Sequence, residues 1–453
     1  MKESNNKAAN SRRSFLGKVA GVTAALSVPS FLSAEGKKQV EYLRSVKKIS
    51  ANDSIQIALI GAGGMGVADT DTALTVEGVK LVGVCDLYDG RLQDAKKKWG
   101  KDIFTTRDYR EILERKDIDA VIVATPDHWH QKISIDAMNK GKGVYCEKPM
   151  VHSIEEGYAL IEAQNKTKKT FQVGSQGLSS LGNEKARELY LAGAIGELNY
   201  AEGFWARNSP TGAWQYPIPA DASKQTVDWD TFLGNAPKVP FDPMRFFRWR
   251  NYRDYGTGVA GDLFVHLFSS LHFIIGSKGP NKIMATGGLR FWKDGREVPD
   301  VLLGMFDYPQ AESHPAFNLS LRVNFVDGTS GSTFLRLVGS EGAMDIGWDS
   351  VTLKKNEVYT PTDAFDQQKQ SLESQQKRKR ILPPSETVFE VEEGYMGAHF
   401  DHFTNFFDGV RTGKSLVEDS TFGLRAAAPA LACNNSYFDS KIVRWDPEKM
   451  KLI

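Results

Sequence analysis

From Ile55 onward the chain alternates short apolar runs with amphipathic stretches. Strands are predicted at Ile55–Ile60, Leu81–Cys85, Ala120–Ala124, Gly143–Cys146 and Phe171–Val173, with helices such as His130–Asn139 and Ile154–Asn165 between them. Strands apolar on both faces and separated by helices belong in a parallel sheet covered from both sides. A doubly wound α/β domain is therefore expected over residues 52–176. Past Gly196 the rhythm changes. Strand-like runs at Glu197–Arg207, Lys282–Trp292, Val301–Tyr308, Asn318–Phe325 and Thr333–Val338 predict an α+β second domain with a largely antiparallel open sheet, over 177–445. A helix is expected over Val259–Ile275, stopped by Gly276, and two more, Phe400–Arg411 and Ser420–Tyr437, close the chain. The polar stretch Glu35–Asp53 reads as a loose lead-in, and 355–384, rich in Gln, Lys and Ser, as a surface excursion.

The first of these strands runs into Gly61-x-Gly63-x-x-Gly66, and the second ends at Asp86. Tight glycine turns let a backbone approach a pyrophosphate, which then sits on the positive N-terminus of the helix that follows. A carboxylate after the second strand can accept both ribose hydroxyls of an adenosine. Strand before, helix after and acid at the right distance point together to a dinucleotide-binding Rossmann fold. Asp86 repels a 2′-phosphate and argues for NAD, while Arg91 nearby leaves NADP open. Two further motifs fall at strand ends in the same crevice: Thr125-Pro126-x-x-x-His130 and Cys146-Glu147-Lys148-Pro149.

The N-terminus carries a different message. Ser11-Arg12-Arg13-Ser14-Phe15-Leu16 precedes a weakly apolar run, Val19–Val28, too short to span a bilayer stably. This reads as a twin-arginine export signal over residues 1–34, with Ser30, Ser33 and Ala34 near the cleavage point, and predicts a periplasmic protein. That route carries folded proteins, often with a cofactor inside. A nicotinamide enzyme beyond the inner membrane has no large free pool to draw on, so a tightly bound dinucleotide, regenerated on the protein, is expected.

Charge is nearly balanced at +1, which argues against nucleic acid as a partner. Three cysteines make no disulfide framework, and no Cys/His spacing suggests a metal. No other run is long and apolar enough for a membrane span.

For chemistry, Asp262 and His266 stand four apart on the predicted Val259–Ile275 helix, hence on one face. Histidine suits proton abstraction from a hydroxyl near neutral pH, and a carboxylate can orient it or hold a neighbouring hydroxyl. Lys148, just past a buried strand, points toward the nicotinamide end, where it could polarise a reacting oxygen. An aromatic and arginine cluster, Trp205, Arg207, Trp214, Tyr216, Arg248, Trp249, Arg250 and Tyr252, flanks the predicted mouth. Trp205, Arg207, Arg248 and Trp249 are the candidate substrate residues, since aromatic faces stack on sugars and arginines bond hydroxyls.

GAGGMG, ATPDHWH, GKGVYCEKP and the GDLFVH helix, in this order and spacing, resemble the Gfo/Idh/MocA family of oxidoreductases from Ile55 to the C-terminal helix. The resemblance implies a catalytic set of Lys148, Asp262 and His266, with Thr125, Pro126 and His130 lining the cofactor. The candidate cofactor set is then Gly61, Gly63, Gly64, Met65, Gly66, Asp86, Thr125, Pro126, His130, Glu147 and Lys148. Two positions depart from the pattern: Gly143 and Ser269 stand where many members carry histidine and aspartate. The expectation is an exported NAD-dependent dehydrogenase acting on a hydroxyl of a sugar, sugar derivative or glycoside, as a homo-oligomer through the second-domain sheet. Its alternative is an NAD-dependent glycosidase or lyase, working by transient oxidation, elimination and re-reduction.

Overall fold

The structure is a computed structural model, described over residues 38–44, 54–329, 331–355 and 384–453. The Arg12-Arg13 segment and nearly all of the 355–384 excursion lie outside the described residues.

The first described element, β1 (Lys38–Leu43), corrects the expectation of a loose lead-in. It is mostly exposed and held by backbone pairing, parallel to a strand more than three hundred residues away, so no local apolar pattern announced it. Next come β2 (Ile55–Ile60), β3 (Val79–Cys85), β4 (Phe104–Thr106), β5 (Ala120–Val123), β6 (Gly143–Glu147) and β7 (Phe171–Gly174). They form an all-parallel sheet in the order β4-β3-β2-β5-β6-β7, with helices such as Gly64–Ala73, His130–Asn139 and Glu156–Thr167 between strands. β5 is buried at all four positions, as a central strand with both faces covered must be. Strand order reverses between β2 and β5, and a ligand crevice opens beyond their carboxyl ends. β4 was not foreseen because three residues are too few to show a period.

The second sheet comprises β8 (Leu198–Ala206), β9 (Lys282–Gly288), β10 (Val301–Tyr308), β11 (Phe317–Asn324), β12 (Ser332–Gly339), β13 (Gly342–Ile346), β14 (Ser350–Lys355), β15 (Ser385–Val391), β16 (Val443–Asp446) and β17 (Lys451–Leu452), with β1 at one edge. Its eleven strands pair antiparallel except at β1–β15 and β8–β11. β9 stops short of the expected Trp292. The Asp300 carboxylate accepts the backbone N–H groups of Arg290, Phe291 and Trp292 at 2.7–2.8 Å and turns the chain away. In β10, Leu302, Gly304 and Phe306 face inward, whereas Leu303 and Met305 stay exposed on the open face.

Helices cover the inner face. Val265–Ile275 is buried nearly all round, which suits a helix wedged between a sheet and other helices. The expected Val259–Ile275 helix is interrupted: Ala260–Phe264 is a π-helical turn. A Cβ on Gly261 would lie 2.2 Å from Thr257 Oγ1, so glycine lets this wide turn close against its own base. The helix Ser420–Asp439 crosses back onto the nucleotide-binding half, where Leu424 fills the space that a Cβ on Gly157 would take. All three cysteines are buried and free. Among the described residues no helix is long and apolar enough to cross a membrane.

Leu424 is fully buried between the two halves. Leu424→Ala should lower stability by about 2–5 kcal/mol through lost burial and a cavity, read as a fall in the urea midpoint.

Candidate active site

The glycine turn is shaped from within. Gly61 has φ +96°, and a Cβ there would lie 2.6 Å from the carbonyl carbon of Ala124 on neighbouring β5. On Gly66 it would lie 2.1 Å from the Gly61 carbonyl oxygen, so Gly66 packs beneath the turn and does not line the crevice. Gly64 faces open space, a Cβ on Gly63 would meet only the Arg91 guanidinium at 3.8 Å, and the helix Gly64–Ala73 begins there with its first N–H groups free for an anion. Gly61, Gly63, Gly64 and Met65 line a crevice of about 570 Å³ together with Asp86, Thr125, Pro126, Glu147 and Lys148. This cradle fits a dinucleotide pyrophosphate.

Asp86 is 5 % exposed and braces the turn, accepting from Ala62 N at 2.8 Å and Tyr88 N at 2.9 Å. Arg91 Nη1 lies 3.4 Å from Asp86 Oδ2, and its guanidinium sits over the rings of Phe246 and Phe247. Those rings belong to the segment 209–255, which roofs the adenosine end. Three contacts clasp it to the loop after β3: Tyr88 Oη to Asp221 Oδ1 at 2.5 Å, Asp89 N to Thr226 O at 3.0 Å, and Asp228 N to Leu87 O at 2.9 Å. Beneath them Tyr88 packs with Trp229, Phe232, Phe246 and Phe247 in a buried aromatic cluster.

His130 does not face the cofactor crevice. Its ring nitrogens lie 2.7 Å from the Pro149 carbonyl oxygen and 2.8 Å from that of Thr125, so it ties together the loops after β5 and β6. Asp127 in the same loop accepts from Thr257 N at 2.9 Å and Thr257 Oγ1 at 2.7 Å, anchoring the base of the π turn.

That anchorage brings Asp262 to Lys148. The Lys148 ammonium donates to the Asp262 carboxylate at 2.9 Å and to the Asp262 backbone carbonyl at 2.8 Å. Arg250 Nε donates to the same carboxylate oxygen at 3.1 Å. Burial alone would raise the Asp262 carboxyl, but the Lys148 ammonium and the Arg250 and Arg207 guanidiniums outweigh it and hold it well below the usual carboxylate range. The bonds made by the Asp262 carboxylate thus orient Lys148, where the sequence suggested His266 or a neighbouring hydroxyl as its partner. Burial and then the Lys148 charge push the His266 imidazole well below its ordinary value, which favours its neutral form. Its Nδ1 is buried without a hydrogen-bond partner. Its ring lies 5.0 Å from that of Trp205 and 6.2 Å from that of Trp348.

Behind Lys148, burial lifts Glu147 to about 7, against the pull of the lysine and of Gln176, whose Nε2 donates to it at 2.7 Å. Burial, and then Glu147, raise Asp69 well above its ordinary range. Ser269, the departure from the family pattern, donates at 2.8 Å to Glu418, which burial lifts to about 8.

Of the candidate substrate residues, Arg207 and Trp249 line the crevice and Trp205 lines a smaller pocket beside His266. Arg248 does not reach either. It bonds the Tyr216 carbonyl at 2.8 Å and the Gln215 side chain, bracing a loop. Arg250 takes the place assigned to it, stacked 4.1 Å over Trp249 and ion-paired to Asp262. The sequence showed it within the cluster but gave no sign of which arginine turns inward, because an irregular loop has no period. His272, by contrast, is structural, 2.9 Å from Tyr308 Oη.

Asp86→Ala should weaken NAD binding to stripped protein by about 1–3 kcal/mol in calorimetry, through the lost charged acceptor and the loosened turn. Glu418 offers a pH test. Its folded value, about 8, stands above the 4.5 of an exposed glutamate, so its contribution to stability is complete below about 4.5 and is lost as pH rises to about 8. Glu418→Gln should flatten the fall in thermal midpoint across that window.

Comparison with known proteins bears on the family and the fold. Residues 55–175 match the oxidoreductase family with an NAD-binding Rossmann fold, and residues 224–444 match that family's C-terminal alpha/beta domain. Among curated relatives, an alpha-N-acetylgalactosaminidase of Shewanella oneidensis is 29 % identical over 229 residues, 45 % of this chain and 50 % of its own length. A glycosyl hydrolase family 109 protein of Shewanella sp. strain ANA-3 is 28 % identical over 237 residues, 49 % of this chain and 50 % of its own. The chain thus spans about half the length of these relatives. Among solved structures, a levoglucosan dehydrogenase in complex with NADH superposes with TM-score 0.64 at 16 % identity, covering 87 % of this chain and 99 % of the other. An oxidoreductase from Thermotoga maritima gives 0.60 at 19 % identity, covering 84 % and 96 %. Residues 55–175 thus form an NAD-binding Rossmann domain, and the chain belongs to the Gfo/Idh/MocA oxidoreductase family.

Proposed function

We propose that this protein is an exported dehydrogenase that oxidises a hydroxyl of a sugar, sugar derivative or glycoside with a retained NAD. The observation that carries the reading is the Lys148 ammonium, fixed by Asp262 at the edge of a crevice shaped for a dinucleotide. NAD, when bound, supplies the acceptor for a hydride from the carbinol carbon. Lys148 donates a hydrogen bond to the reacting oxygen and stabilises negative charge there as the proton leaves. Neutral His266 takes the hydroxyl proton on its free lone pair. Asp262 holds Lys148 in place and balances its charge, with Arg250 as a second cation on the same carboxylate. Arg207 and Trp249 supply hydrogen bonds and a stacking face to the sugar.

Retention of the cofactor is supported by the roof over the adenosine end. Its aromatic packing and the three clasping contacts to the loop after β3 hold it in place beside the crevice. The Arg12-Arg13 segment supports export in the folded state, and the exposed Leu303 and Met305 on the open face of the second sheet support a homo-oligomer.

A second reading is favoured by the curated relatives, which are named as glycosidases. The same residues would then oxidise the sugar transiently, assist elimination at the adjacent carbon and return the hydride. Product analysis separates the two: a keto sugar marks the dehydrogenase, a cleaved and unoxidised sugar the glycosidase. On either route Lys148→Met and His266→Ala should each slow hydride transfer by about two to four orders of magnitude in a single turnover. Near-wild-type rates in His266→Ala would remove the histidine from the chemistry.

A further inference from the structure

His266 stands between two neighbouring cavities. Two separate elements divide their side chains between them. In the helical segment, Asp262 lines the large crevice and His266, four residues on, lines a second pocket of about 200 Å³. In and just beyond β8, Arg207 lines the crevice and Trp205, two residues back, lines the pocket. Trp348, on the turn between β13 and β14, faces His266 from the other side, ring to ring at 6.2 Å. It is firmly seated, since a Cβ on Gly177 would lie 2.4 Å from its Nε1.

The lining has little to offer a hydroxyl-rich group. The Asn183 amide nitrogen is spent on the Gly177 carbonyl at 2.7 Å and on Ser270 Oγ at 2.8 Å. The rest of the lining is mainly apolar, the two indoles beside Leu267, Leu335 and Ile346, with Thr333 and the buried His266 as further polar members. A buried sugar ring would leave hydroxyls without partners, whereas a flat apolar ring would lose nothing and would stack on indole.

We infer that the pocket formed by Trp205, Trp348 and His266 is a subsite for the apolar, aromatic aglycone of a glycoside whose sugar lies in the crevice beside Lys148. This rests on the sugar-acting reading above and extends it: the substrate is an aryl glycoside, not a free sugar.

The test is calorimetry on NAD-loaded enzyme with phenyl and methyl glycosides of the same sugar, repeated across a sugar panel, with a disaccharide of each sugar alongside. Binding needs no turnover, so it is independent of which reaction follows. The phenyl glycoside should bind about tenfold more tightly than the methyl glycoside, the worth of one stacked ring. Trp348→Ala should abolish that preference and Trp348→Phe should keep it, with thermal midpoints showing that both variants fold. Equal affinities in the wild type, or a preference that survives Trp348→Ala, would overturn the subsite. A disaccharide that outbinds the phenyl glycoside and depends on Trp348 would overturn its apolar occupant. Failure of the sugar-acting reading looks different: no glycoside binds and no free sugar reduces the NAD, which overturns both.

Discussion

The buried ion pair between Lys148 and Asp262 is the contact on which the rest of the site depends. It joins the end of β6 in the nucleotide-binding half to a π-helical turn in the other half. Both side chains are nearly inaccessible, at 11 % and 7 %. Taking two charges out of water is costly, and the attraction offsets this only with good geometry and further hydrogen bonds. Here the Asp262 carbonyl provides a second acceptor and Arg250 a second cation. Such a pair is a poor device for stability alone. It makes sense where a cation must be held, dry and oriented, beside a reacting oxygen.

The surrounding groups are arranged to keep the local charge in balance. Asp262 is held as an anion, while His266 is kept neutral by burial and by the lysine. Glu147 and Asp69, packed behind Lys148, are pushed by burial toward holding a proton. One neighbour of the lysine is therefore held as an anion while burial disfavours charge on the others. The imidazole holds a proton less readily than an exposed histidine would, which suits it to a group that becomes acidic during the reaction. A hydroxyl losing its geminal hydride is such a group.

Much of this was legible in the chain because local spacing and geometry coincide. The glycine turn, Asp86 and Lys148 each follow a strand, and the end of a parallel strand in this topology opens on the crevice. What could not be read depends on distant packing. The π turn arises where Gly261 closes on Thr257, itself tied to Asp127 in the loop after β5. β1 exists only because β15 offers it an edge. His130 sits in the expected motif yet turns to two backbone carbonyls, and within one arginine-rich loop Arg250 faces inward while Arg248 braces Tyr216. Motif membership located these residues; side-chain direction was settled by tertiary contacts.

The central claim is that a carbinol hydride of a sugar passes to an NAD that stays on this protein, beside Lys148 and His266. The direct measurement is mass spectrometry of the dinucleotide released by denaturation after one turnover with a sugar or glycoside deuterated at its carbinol carbons. The account predicts a dinucleotide that co-purifies with the enzyme and is recovered carrying one deuterium, in the wild type and not in Lys148→Met. A protein that reacts with the sugar while its dinucleotide stays unlabelled would contradict it.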